Sequence, residues 1–122
     1  MIQAGNLLEI KSEIQENKLA LLYVSREDCS VCHSLLPQIE QLLTNYPTIK
    51  SIRVDADAIP EIAGEYSIFT VPAILVFAEG KEMIRKARFV PIDELNRQLS
   101  KLVSLVDSFV KMNKTSLKKD RE

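Results

Sequence analysis

Cys29 and Cys32 are the only cysteines in the 122-residue chain, and two residues, Ser30 and Val31, separate them. A deprotonated thiol is both a nucleophile and a metal ligand. Two thiols three positions apart can therefore trade electrons as a dithiol/disulfide pair or contribute to a metal site. His33 follows at once, so the string also reads Cys-x-x-Cys-His, the form of c-type haem attachment. A structural zinc site takes four ligands, and two cysteines with the single histidine supply three. Zinc would have to be shared between two copies. Haem attachment needs an exported chain and a helical wrap, and neither is suggested by the sequence. As a bland alternative, the cysteines could be small buried hydrophobes. Their isolation as one close pair favours redox chemistry over that reading.

The pair must be positioned by the elements around it. Leu7, Ile10 and Ile14 recur at helical spacing over 6–16, with Asn6 as a candidate N-cap. Residues 18–24 form a near-continuous apolar run, the pattern of a strand covered on both faces. Ser25-Arg26-Glu27-Asp28 breaks it. Leu35, Ile39, Leu42, Leu43 and Tyr46 then mark a helix from Ser30 to about Asn45, with Pro37 inside as a source of a kink. A second strand is expected over 49–54 and a short helix over 57–66. Ala73-Ile74-Leu75-Val76-Phe77 is a third strand, and Glu79-Gly80 turns it into a hairpin with 81–88. A long amphipathic helix follows Pro91, with Ile92, Leu95, Leu99, Leu102, Val103, Val106, Phe109 and Val110 on one face. The order α-β-α-β-α-β-β-α predicts an α/β domain: a mixed central sheet with helices on both faces. Strands separated by helices are expected to pair in parallel. Met1–Ala4 carries a weak signal for a further edge strand.

On this map the cysteines lie just past a buried strand, in the first turn of a helix. The first N–H groups of a helix have no internal partners, and the helix dipole adds positive potential there. A thiol at that tip loses its proton more readily. Cys29, at the tip, is the expected attacker, and Cys32, one turn deeper, the shielded resolving thiol. Glu27 and Asp28 would oppose ionisation of Cys29, and a protonated His33 would partly offset them.

The cysteine pair after a strand, Val71-Pro72 before the next strand 40 residues beyond Cys32, the Phe77–Gly80 hairpin turn and the terminal helix together resemble the thioredoxin-like family over roughly residues 6–105. The resemblance implies a thioredoxin fold with an extended C-terminal helix. It implies that Pro72 is cis and that the backbone of Val71 pairs with an extended substrate segment. Thioredoxins usually carry tryptophan before the first cysteine and Gly-Pro between the two, where this chain has Asp28 and Ser30-Val31. They also bury an aspartate six positions before the first cysteine, paired with a lysine on the next strand. The matching positions are read here as Tyr23 and Ser51, so both members of that pair are replaced.

Hydrophobic residues make up 46% of the chain and charged residues 27%, ordinary for a globular domain. Sixteen basic residues against seventeen acidic ones argue against a nucleic-acid-coating role. No apolar run is long enough for a membrane span. Met1–Asn6 lacks a basic region leading into an apolar stretch, so a cytoplasmic protein is expected. The division expected is a domain over 1–110 and a basic polar tail over 111–122, where five basic residues face two acidic ones. The function expected is thiol–disulfide exchange on protein substrates, reset by a thioredoxin-reductase-like flavoprotein or a low-molecular-weight thiol, with no metal or organic cofactor. The alternative is a thioredoxin-like protein-binding module with little turnover. The apolar stripe continues past Val103, which raises a homodimer through the C-terminal helix as an alternative to packing along the chain's own domain.

Overall fold

The computed structural model describes residues 1–120, with side chains through Phe109. The expected boundary at 110 and the basic tail over 111–122 turn on side chains outside those described residues. The elements are β1 (Ile2–Gln3), α1 (Leu7–Glu16), β2 (Leu19–Ser25), α2 (Ser30–Leu43), β3 (Lys50–Asp55), α3 (Ile62–Tyr66), β4 (Ala73–Ala78), β5 (Lys81–Ala87) and α4 (Ile92–Asp120). The five strands form one mixed sheet in the order β1-β3-β2-β4-β5. The edge strand at the N-terminus is present and runs parallel to β3.

Local chemistry accounts for the element ends that matter. Asn6 caps α1, its side-chain oxygen accepting from the Glu9 N–H at 2.8 Å, while the Glu9 carboxylate accepts from the Gly5 N–H at 3.0 Å. Each partner satisfies an N–H that the helix or the turn before it would leave open. Glu79 and Gly80 both take positive φ, 51° and 79°, the geometry that lets a two-residue turn follow the twist of β4 and β5. The helix expected over 57–66 is shorter than the sequence suggests, beginning only at Ile62. Asp55 diverts the chain first, its side chain accepting from the Asp57 N–H at 2.9 Å, and Pro60 has no N–H to offer a helix.

Parallel pairing holds for β1, β2 and β3 but not for β4, which runs antiparallel to β2. The chain re-enters the sheet at the end where β3 left it. That places the start of β4 beside the end of β2.

Two apolar layers enclose the sheet. On one face Leu22, Val24, Ile52, Val54, Leu75 and Phe77 pack with Ile10 and Ile14 of α1 and Ile62 of α3. On the other, Leu21, Tyr23, Ile74 and Val76 pack with Leu35 and Ile39 of α2 and Leu95, Leu99 and Leu102 of α4. All seven residues of β2 are buried, as its unbroken apolar run predicts. Beyond Leu102 the stripe of α4 thins. Val103 and Val106 are half-buried, and Leu105 and Phe109 are exposed.

Candidate active site

β2 and β4 meet with Val24 opposite Ala73. The turn that carries the cysteines leaves β2 at this end, and Pro72 enters β4 at the same end. The Val71-Pro72 peptide bond is cis, as the resemblance implies. Pro72 is buried and Val71 half-buried. Across β4 the Arg88 N–H donates to the Pro72 carbonyl at 2.7 Å, which ties the segment after β5 to the same corner.

The cysteine turn closes through the Cys29 N–H and the Arg26 carbonyl, 3.2 Å apart. Cys29 is the N-cap of α2, and its sulfur accepts from the Cys32 N–H at 3.2 Å. The two cysteines form a disulfide, with Cα atoms 5.2 Å apart. Cys29 is half-buried, while Cys32 is only 1% exposed. An incoming thiolate thus finds Cys29 the accessible sulfur. Once the pair is reduced, the same Cys32 N–H faces the charge that develops on Cys29.

The flanking candidates are placed as follows. Asp28 is exposed in the turn before Cys29. His33 is also exposed, its Nε2 2.7 Å from the Glu27 carbonyl oxygen, and its backbone N–H donates to the Cys29 carbonyl at 3.2 Å. Beside Val71 lies a cavity of about 110 Å³, with Ala56, Ile62, Ala63 and Ile68 among its lining and Arg26, Phe69 and Thr70 at its rim. Arg26 pairs loosely with Asp57 at 3.7 Å. Sequence reasoning passed over Arg26, Phe69 and Arg88. The only signal for them was adjacency: Arg26 lies in the loop that carries the cysteines, and Phe69 stands three residues before Pro72. Phe69 and Phe89 are 87% and 78% exposed, unusual for phenylalanine and notable at this end of the sheet.

Tyr23 is more than core packing. Its ring is fully buried, and its O–H donates to the Cys32 carbonyl at 2.6 Å. Burial pushes the phenol up to about 12, with the nearby Arg53 pulling weakly the other way. Tyr23 is therefore a donor at any ordinary pH and cannot take up a proton. In the register Ser51 faces Leu21, and Arg53, two residues on and on the same face, lies opposite Tyr23. Tyr23 thus has a cation across from it on β3 and a phenol where the family buries a carboxylate. Among the described residues no group of three or more His, Cys, Asp or Glu side chains is placed to hold a metal ion.

This arrangement defines a disulfide redox site on a thioredoxin fold. The family model described as Thioredoxin matches residues 6–103. The chain is 39% identical over 102 residues to the thioredoxin-like protein YdfQ of Bacillus subtilis, covering 84% of this chain and 91% of that protein. It is 28% identical to thioredoxin H8 of Arabidopsis thaliana, covering 83% of this chain and 70% of the relative. Among solved structures, thioredoxin from Trypanosoma brucei brucei superposes with a TM-score of 0.77 at 19% identity, over 84% of this chain and 89% of that one. Fasciola hepatica thioredoxin gives a TM-score of 0.76 at 24% identity, over 83% and 98%.

The chain belongs to the thioredoxin family. It is a thioredoxin-like thiol–disulfide oxidoreductase, and Cys29 and Cys32 are its cysteine pair.

Proposed function

We propose that the chain reduces disulfides of protein substrates in the cytoplasm, with Cys29 as the attacking thiol and Cys32 as the resolving one. The observation that carries this reading is the asymmetry of the pair. Cys29 caps α2 with its sulfur reachable, and Cys32 is buried one turn deeper with its N–H on that sulfur. Cys29 attacks a substrate cystine and forms a mixed disulfide. Cys32 then displaces the substrate thiolate and closes the Cys29–Cys32 bond. A reducing compartment drives this direction, with a thioredoxin-reductase-like flavoprotein or a low-molecular-weight thiol returning the pair to the dithiol. The substrate segment lies extended beside Val71 and Pro72, pairing with the Val71 backbone. Asp28 and His33 adjust the charge next to Cys29 from the solvent side.

An insulin-type disulfide reduction assay tests the reading. Wild type is expected to turn over, Cys29→Ser to be inactive, and Cys32→Ser to accumulate a mixed disulfide visible by mass spectrometry. Equal rates for wild type and Cys29→Ser would defeat the catalytic reading and leave the fold as a binding module.

A further inference from the structure

The second half of the exchange places a demand on Cys32 that its surroundings do not obviously meet. Its thiol is 1% exposed, and burial disfavours the thiolate that must attack. The reacting sulfur must also point at Cys29 while Cys29 is bonded to a substrate. In this state the Cys29–Cys32 bond is absent and no longer holds the turn.

What remains is backbone and Tyr23. The Cys32 N–H reaches the Cys29 sulfur at 3.2 Å, and the next N–H, of His33, reaches the Cys29 carbonyl at 3.2 Å. The peptide group that bears the His33 N–H also bears the Cys32 carbonyl. That carbonyl takes the Tyr23 O–H at 2.6 Å, inside the core. Polarising it makes the N–H on the same peptide a better donor, so the contacts reinforce one another. Tyr23 itself is anchored in the core. Its ring is fully buried on β2, in the layer that holds Leu35, Ile39 and Leu99.

We propose that Tyr23 is a positioning residue for the resolving step: its phenol pins the Cys32 carbonyl and keeps the Cys32 sulfur aimed at the mixed disulfide. The inference rests on the exchange reading above and concerns its second step only. In that step the Cys32 sulfur, its proton lost to water, forms a bond to the Cys29 sulfur. The bond from Cys29 to the substrate sulfur breaks, and the substrate leaves as a thiolate that takes a proton from water. The substrate cystine has gained two electrons and the Cys29/Cys32 pair has lost two. No protein group need carry the proton, and Tyr23 is not its acceptor. Tyr23 on β2 touches Cys32, Arg53 lies opposite Tyr23 on β3, and Glu27, Asp28, Cys29 and His33 flank Cys32 in the turn and first turn of α2. Among the described residues none of the carboxylates makes a hydrogen bond to Tyr23 or to Cys32.

The test separates the two steps. First attack is measured as formation of the mixed disulfide with a fluorescent peptide disulfide, in a Cys32→Ser background. Resolution is measured as release of the peptide thiol from the preformed Cys29 mixed disulfide, between pH 6 and pH 9. Tyr23→Phe keeps the ring and removes the donor. Release is expected to slow about tenfold, the rate equivalent of one lost hydrogen bond, with first attack changed less than about twofold. In wild type, release is expected to climb with pH across this window toward the thiol range. 3-Fluorotyrosine at position 23 is a stronger donor of nearly the same shape and serves if Tyr23→Phe does not fold. It is expected to speed release. A Tyr23→Phe protein that slows both steps alike, or neither, overturns the proposal, as does slower release with the fluorinated ring. Failure of wild type to form or release the mixed disulfide at all would instead sink the exchange reading.

Discussion

The direction of electron flow can be read from stability. Reducing the Cys29–Cys32 bond opens a loop with a sequence separation of three. Chain-entropy reasoning for a closed loop of about four residues gives roughly 2 kcal/mol of stability from the crosslink. A small domain loses stability in urea at about 1.5 kcal/mol per molar, so the oxidised protein should unfold at a urea concentration about 1 M higher than the reduced one. The comparison is best made near pH 5.5, where thiols of ordinary pKa, about 8.5, are protonated and thiolate stabilisation does not enter. Folding and reduction form a closed cycle. If the fold favours the disulfide over the dithiol, reduction is harder in the folded chain than in the unfolded one, and the folded dithiol is a reductant. The assay is equilibrium unfolding followed by circular dichroism, with and without a phosphine reductant. Equal midpoints, or a reduced form that outlasts the oxidised one, would refute the argument. The second outcome would identify the pair as an oxidant, whose reduced form is the stabilised one.

Two further outcomes concern the scaffold. Leu99 is fully buried between α4 and the sheet. Leu99→Ala should cost about 2–5 kcal/mol in urea unfolding and lower the midpoint in both redox states. The Arg85 guanidinium beside Glu82, with a nitrogen–oxygen distance of 2.7 Å, holds the Glu82 carboxyl below its usual range. A lowered folded pKa adds stability that is complete above the unfolded carboxylate value and disappears as pH falls through the folded one. Both side chains are about a third exposed, so solvent screening limits the effect to about 1 kcal/mol or less. Wild type should exceed Glu82→Gln in thermal stability at pH 6, and the gap should close by pH 2. A gap that widens on acidification would contradict the pairing.

The cysteine spacing, the apolar run of β2 and the helical repeat after Ser30 were enough to place a reactive pair at a strand-to-helix junction. Each is a local property of neighbouring residues. The same holds for the Asn6 cap, the Glu79-Gly80 turn and the residue type at Pro72. The strand and helix patterns also indicated a mixed sheet covered on both faces, because each element carries its apolar surface in its own periodicity.

Three features depended on how distant segments met. The antiparallel β4 follows from the chain re-entering the sheet at the end where β3 leaves it, which no hydrophobic pattern records. The partner of Tyr23 followed from strand register. Ser51 and Arg53 point to the same face, and only the pairing of β2 with β3 decides which lies opposite. The bond from Tyr23 to the Cys32 carbonyl joins a sheet layer to a helix tip nine residues on. In the sequence Tyr23 marks where the family's buried aspartate is replaced, but nothing there gives its hydroxyl a partner. Only the packing of α2 over β2 turns its hydroxyl toward the cysteine, because a buried donor must find an acceptor and that carbonyl is the one within reach.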